Sequence, residues 1–348
     1  MKKLLLLFCT LSTYFCLSQT TFTDSGSGIT FNVTSTSAPY TVEVGDNKTS
    51  FTGSAVNIPA SVIYSGTTYA VTSFINGAFA NNTNVTSAVI PNSITAIANG
   101  AFNNCTNLSS VTIPEGVTTI GNASFQKTAL ISITLPSTLT SIGNNTFKQS
   151  GLTSIVFPDS VTSIGNSAFN GCASLASVTF GENISSIGAS SFAGTAISSI
   201  VIPASMSSIG GYAFNGCTNL ANVTAEAVAP ISIPLTVFNG VTATLHVPEG
   251  SQTAYESANG WNALTVMSAN GLEKTVQFNL YPNPVNDVLN VSLDNPTALK
   301  AITIYNILGK TVLHSKEAQI SVSSLQAGVY ILKMETLEGS ATKRFIKR

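Results

Sequence analysis

Charge is what this 348-residue sequence has least of. Lysine, arginine, aspartate and glutamate together make up 8% of it, against roughly 25% in ordinary soluble domains. Its surface must therefore be dressed in serine, threonine and asparagine. A formal net charge of -1 at pH 7 gives no electrostatic reason to hold nucleic acid or an acidic membrane.

Histidine is scarcer still. His246 and His314 are the two in the chain, and neither has a metal-ligand neighbour at the spacing of H-x-x-x-H or C-x-x-C. A triad built on His246 has no G-x-S-x-G support. The glycines recur at a repeat period and do not gather in a phosphate-binding loop, so no cofactor is implied. Carboxylates are thin as well. Between Phe74 and Ala225 the charged residues are Glu115, Lys127, Lys148, Asp159 and Glu182. Glycoside hydrolysis needs two facing carboxyl groups roughly 5–10 Å apart. Asp159 and Glu182 lie one repeat apart and are able to approach, but both follow a strand end, where solvated turn residues are the default. The expectation is a protein that is not an enzyme.

Long apolar runs are missing beyond the N-terminus, and nothing there is long enough to cross a bilayer as a helix. The first residues read as a signal peptide, residues 1–18. Lys2 and Lys3 form a basic start, an apolar run opens at Leu4, and Cys16 and Ser18 supply small side chains at −3 and −1 before Gln19. Tyr14 and Phe15 precede Cys16, which argues against a lipoprotein box. Export leaves three of the five cysteines, Cys105, Cys172 and Cys217, an odd count outside the cytoplasm.

What the sequence does have is repetition. A unit V-x-x-I-G-x-x-x-F followed by L-x-S-V-x-I-P recurs at steps of 22 or 23 residues. Its aromatic column is Phe79, Phe102, Phe125, Phe147, Phe169, Phe192 and Phe214, with a degenerate echo at Phe238. A proline column keeps step at Pro91, Pro114, Pro136, Pro158 and Pro203, with Gly181 standing in once. In the copy over residues 117–136, six apolar side chains (Val117, Ile120, Phe125, Leu130, Ile133 and Leu135) are too few to offset the ordering of one unit's backbone. Stacked units cover one another's apolar faces, which is the logic of a solenoid. Within a unit, Ser109-Ser110-Val111-Thr112-Ile113 alternates with the period of a strand, Val111 and Ile113 inward, Ser110 and Thr112 outward. Pro114 ends the strand.

This pattern resembles the BspA-like leucine-rich repeat, a bacterial type found on surface and secreted proteins. Residues 56–69, VNIPASVIYSGTTY, are similar to that family's strand-rich N-terminal cap. Residues 245–264 are similar to its closing segment, with Trp261 covering the last turn. The resemblance implies an extended surface serving adhesion or other binding, and it does not name a ligand.

The three cysteines share one column, each three residues after the repeat Phe, where other copies place Asn82, Thr128, Ser150 and Thr195. Such a column suits a small, nearly buried side chain that satisfies a backbone group. At about 4.8 Å per turn the sulfurs lie roughly 10 Å or more apart, beyond disulfide reach.

The candidate binding face is the outward strand columns, Ser110, Thr112, Ser132, Thr134, Ser154, Val156, Ser177 and Thr179, extended by Ser87/Val89, Ser199/Val201 and Asn222/Thr224. They predict a neutral plane about 30 Å long at strand spacing. It lacks the Trp, Tyr and Arg that anchor typical interfaces, which points to weak, extended or multivalent contact. Plain suitability of Ser and Thr for an exposed ladder is the competing explanation.

From about Leu272 the composition shifts: nine of the fourteen basic residues lie at or beyond Lys274. Alternating runs at residues 301–305 and 329–334 suggest a small β-sandwich. Tyr281-Pro282-Asn283-Pro284, then Val288-Leu289-Asn290-Val291, then Ile304-Tyr305-Asn306-Ile307-Leu308-Gly309-Lys310, then Gly328-Val329-Tyr330 and a basic end from Lys343 to Arg348 resemble the type A sorting domain of the type IX secretion system. That resemblance implies Sec export, recognition by the type IX machinery, and release or surface attachment after cleavage of the domain. Asp159-Ser160-Val161 also fits a short bacterial O-glycosylation signal, making Ser160 a candidate.

The expected architecture is mainly β: a leucine-rich-repeat solenoid with an N-terminal β cap, followed by a small C-terminal β-sandwich. Its parts are the signal peptide (1–18), cap (19–70), solenoid (71–242), closing cap (243–267), linker (268–276) and sorting domain (277–348). The expected role is a secreted or cell-surface binding protein with an unknown protein or glycan ligand. An inert matrix component is the alternative, with ice binding and glycan hydrolysis further off.

Overall fold

The computed structural model describes residues 20–45, 51–268, 278–293, 299–336 and 340–348. The expected signal peptide, and the expected linker beyond Ser268, lie outside the described residues. The chain divides after Ser268 into two compact units.

The first unit opens with a five-stranded sheet in the order Thr21–Thr23, Thr30–Ser35, Thr41–Val44, Thr67–Phe74, Ser61–Tyr64. The Ser61–Tyr64 and Thr67–Phe74 pair is a hairpin turned by Ser65 and Gly66, both at positive φ (49° and 80°), the backbone that a two-residue turn between right-twisted strands requires. Phe31, Val42, Val44 and Val71 face inward and are fully buried.

The repeats then wind into stacked coils, each contributing to two parallel ladders. One ladder is continuous over six strands: Ala96–Ile97, Thr119–Ile120, Ser141–Ile142, Ser163–Ile164, Ser186–Ile187 and Ser208–Ile209. Its isoleucines all point into the core and are buried. Its trace in the sequence is the column ending in Ile-Gly.

The other ladder carries the predicted outward columns, and here the expectation of one unbroken plane is corrected. It forms three separate sheets: Ala55–Asn57 with Ser87–Val89 and Ser110–Thr112; Ser154–Val156 with Ser177–Thr179; and Ser199–Ile202 with Asn222–Ala225, Thr244–Val247 and Thr265–Ser268. Ser132 and Thr134 are exposed but belong to no strand. Coil length changes at two of the breaks. The stretch from Phe125 to Pro136 is one residue shorter than that from Phe102 to Pro114, and the stretch from Phe192 to Pro203 is one shorter than that from Phe169 to Gly181. The ladder is also interrupted between the two equally short coils that carry Ser132 and Ser154, while Ser154 and Ser177 pair across a change of length.

The aromatic column forms the spine of the core. Rings 79, 102, 125, 147, 169, 192, 214 and 238 stack in order with centroids 5.2–5.6 Å apart and interplanar angles of 1–19°. This offset parallel arrangement suits the ring quadrupole and follows from one coil rising about one strand spacing over the last. Phe51 closes the near end edge-on at 5.7 Å, and Trp261 closes the far end, tilted 49° at 5.8 Å from Phe238. The Trp261 indole N–H donates to the Ile231 carbonyl at 2.8 Å, so this bulky cap is buried without an orphaned donor.

Among the described residues the second unit is a seven-stranded antiparallel sandwich. One sheet joins Phe278–Tyr281, Val288–Leu293 and Gln319–Ser321; the other runs Thr311–Ser315, Leu299–Asn306, Gly328–Thr336, Ser340–Lys347. Phe278, Leu289, Ile302, Ile304, Leu332, Met334 and Phe345 from the two sheets share one core.

Candidate binding face and sorting domain

Hydroxyls just before the strands bond coil to coil beside both ladders. Before the continuous ladder's strands the Thr or Ser donates to the carbonyl of the coil before: Thr118 to Thr95 at 3.3 Å, Thr140 to Thr118 at 3.1 Å, Thr162 to Thr140 at 3.4 Å, Ser185 to Thr162 at 3.0 Å and Ser207 to Ser185 at 2.9 Å. Before the other ladder's strands Thr86 donates to Ser54 at 3.1 Å, Ser109 to Thr86 at 3.2 Å and Thr153 to Ile131 at 3.2 Å. These groups are satisfied internally. In the outward columns Ser110, Thr112, Ser132, Thr134, Ser154, Val156, Ser177 and Thr179 are all exposed. Within the described residues, none of the seven hydroxyls among them takes part in an intramolecular hydrogen bond.

The cysteine column does what its composition implied, and loop length decides how. In the longer coils the side chain reaches back to the preceding coil: Asn82 to the Phe51 carbonyl at 2.6 Å, Cys105 to Phe79 at 3.0 Å, Cys172 to Phe147 at 2.9 Å and Cys217 to Phe192 at 3.1 Å. In two of the shorter coils Thr128 and Thr195 bond the carbonyl of their own repeat Phe at 2.9 and 2.8 Å. The three thiols are free and buried, and burial pushes all three up, Cys105 to about 12. A thiol held in its neutral form is a poor nucleophile.

The acidic residues are braces between coils. Glu115 accepts both the amide and the hydroxyl of Ser137, at 2.9 and 2.8 Å. Asp159 accepts the Glu182 amide at 3.0 Å, which ties the two coils together through a side chain and a backbone N–H. Ser160 is half-buried, its hydroxyl donating to the Leu139 carbonyl at 2.7 Å, the role that Thr138 and Ser205 fill in their own coils. His246 meets the Asn222 side chain at 3.1 Å, and His314 meets Thr303 at 3.1 Å. No group of three or more His, Cys, Asp or Glu among the described residues is placed to hold a metal ion.

In the second unit the predicted motif residues build turns and strand ends. Asn283, between Pro282 and Pro284, accepts the Ile346 amide at 2.8 Å and so ties the opening loop to the last strand. Asn306 accepts the amides of Leu308 and Lys310 at 3.0 and 2.9 Å, and Gly309 supplies φ 76°, which closes the hairpin tip. Gly328 begins the strand that carries Tyr330. The Tyr330 hydroxyl donates to Gln326 at 2.9 Å while its ring stacks on Phe345 at 5.6 Å. Lys343 places its ammonium 5.6 Å over the Phe278 ring, within cation–π range.

Comparison with known proteins agrees with this anatomy. The BspA type leucine rich repeat region matches in six copies over residues 72–155 and 140–246, and the secretion system C-terminal sorting domain matches residues 279–348. Among solved structures, a leucine rich cell surface protein from Faecalibacterium prausnitzii A2-165 is 27% identical, with 66% of this chain and 71% of that one covered and a TM-score of 0.52. A leucine-rich repeat protein from Bacteroides ovatus ATCC 8483 is 25% identical, covering 70% and 78%, with a TM-score of 0.44. The T. pallidum leucine rich repeat protein is 26% identical, covering 55% and 87%, with a TM-score of 0.46. No curated protein matches. No helix among the described residues is long and apolar enough to cross a membrane. Stacked coils with a stacked phenylalanine spine, joined to a sandwich that matches a sorting domain, make this chain a member of the BspA type leucine rich repeat family, sent to the cell surface or beyond by the type IX secretion system.

Proposed function

We propose that the solenoid is an extracellular binding module, adhesive in role and not enzymatic, and that it engages its ligand through the Ser110–Thr179 columns. The observation that carries this reading is the set of outward hydroxyls in the Ser110–Thr179 columns, exposed with no internal partner among the described residues. The Ser and Thr just before the strands are instead consumed in bonding coil to coil. Exposed, unpartnered donors and acceptors on a neutral surface suit a polar, uncharged ligand such as a glycan or a hydroxyl-rich protein segment. Lacking large anchors, each contact is weak, and affinity comes from several coils at once. The braced acidic residues support the non-enzymatic part of the reading.

The test is a glycan and protein array probed with the full mature chain, repeated with Thr112→Glu, Val156→Glu and Thr179→Glu combined. Binding that the triple variant loses, at unchanged melting temperature, is the expected result. A chain that binds nothing on the array overturns the adhesive role. Equal binding by the variant overturns the choice of face.

A further inference from the structure

The sorting sandwich has two outer faces that differ in how apolar side chains are grouped. On the three-stranded sheet the outward rows pair Tyr281 with Asn290, Asn290 with Gln319, Val288 with Ser321 and Asn279 with Ser292, so the exposed Tyr281 and Val288 each stand beside a polar partner. On the four-stranded sheet the outward neighbours are Tyr305 beside Ile331 and Val329 beside Ile346. Val329, Ile331 and Ile346 are exposed, although each alternates with a buried neighbour and occupies a place where a polar side chain costs the fold nothing. The hairpin that leaves this sheet ends in Ile307 and Leu308, 73% and 86% exposed. That tip is a closed turn, bonded by the Asn306 carboxamide and by the Gly309 amide donating to the Asn306 carbonyl at 2.9 Å. Two large apolar side chains are thus held out on a hydrogen-bonded turn.

The rim of the apolar face is basic. Arg344 sits opposite Ile331 on the neighbouring strand, Lys333 follows Ile331 on the same side, and Lys310 flanks the tip. Glu335 on the same strand is paired to Lys333 at 2.7 Å, which leaves Arg344 and Lys310 to give the rim its positive charge. An apolar centre with a charged rim is the composition of a docking surface, and small soluble domains rarely leave such a patch without a partner.

We infer that the outer face of the four-stranded sheet, with the Ile307–Leu308 tip, is the surface by which the type IX machinery holds this domain. Its partner is a receptor surface with an apolar pocket and an acidic rim. The inference rests on the sorting assignment and adds to it the face, the peg and the charge of the partner.

The test is export of the full chain from a type IX-competent host, measured as the extracellular fraction. Three variants are compared with the wild type: Ile307→Ser with Leu308→Ser; Val329→Thr, Ile331→Thr and Ile346→Thr together; and Arg344→Glu, which leaves the apolar residues in place. A control on the other sheet's outer face, outside the motif residues, combines Gln319→Ala with Ser321→Ala. The face variants are expected to lower export at least tenfold, with accumulation in the periplasm, while the control exports normally. Melting curves of the purified chains show whether a variant is folded. Folded tip and Arg344→Glu variants exported at the wild-type level overturn the inference, as does an equal loss in the control. Removal of residues 278–348 separates the two readings. If that truncation still exports, the sorting assignment fails; if it is blocked while the folded face variants export, the choice of face alone fails.

Discussion

The Cys172 thiol donates to the carbonyl of Phe147, one coil behind it, at 2.9 Å. Thr195, in the equivalent place of a coil one residue shorter, turns to the carbonyl of Phe192 in its own coil. The two arrangements meet at Cys217, which reaches that same Phe192 carbonyl from the next coil while contacting the Thr195 hydroxyl at 3.2 Å. The choice of side chain and the length of the loop are matched.

These thiols are expected to be silent in the folded chain. With Cys105 raised from its ordinary 9.0 to about 12 by burial, a thiol reagent at pH 8 should label none of the three until denaturant is added. The same shift sets a pH dependence. The neutral thiol is favoured by the folded state, so its contribution is complete below pH 9 and is lost as pH rises from 9 toward 12. Urea midpoints measured across that range should fall, and they should fall less in a Cys105→Thr variant.

Gly165→Ala should be costly for a surface-lining position. A Cβ there lies 2.6 Å from the backbone carbon of Gly143 and 2.7 Å from the Asn144 amide nitrogen. Neither is able to yield without moving a whole coil, and roughly 1–3 kcal/mol of destabilisation is expected from such overpacking. Denaturant unfolding of the full chain measures it.

Phe147 stacks between Phe125 at 5.6 Å and Phe169 at 5.3 Å. Truncation to alanine should cost about 3–5 kcal/mol, read as a lower melting temperature. Phe147→Leu should recover part of that loss, because volume is kept while the ring contacts are not.

Asn283→Ala removes the acceptor of the Ile346 amide and should destabilise the second unit by about 1 kcal/mol. Asn283→Asp keeps an acceptor oxygen in place and is expected to restore most of the stability. Thermal unfolding followed by circular dichroism distinguishes the two.

The period of the Phe column was enough to read the stack, because burying one large ring per turn is the strongest constraint on the chain. The cysteine column was legible for a related reason: Cys, Asn, Ser and Thr have in common small size and a polar tip. The continuous ladder escaped notice since strands such as Thr119–Ile120 are two residues long, too short for alternation to show. The break at Ser132 and Thr134 is invisible in a column of near-identical letters. Which outer face of the sandwich is apolar depends on how Val329 pairs with Ile346, a relation between strands that no single run of sequence contains.

Because the hydroxyls, thiols and asparagines of each coil bond within that coil or to the one immediately adjacent, as Asn144 takes the Asn166 amide at 2.7 Å, a copied or deleted repeat brings or removes its own complete set of fastenings. Rod length is then free to drift between generations by slippage of the coding sequence, with the two end pieces left unaltered.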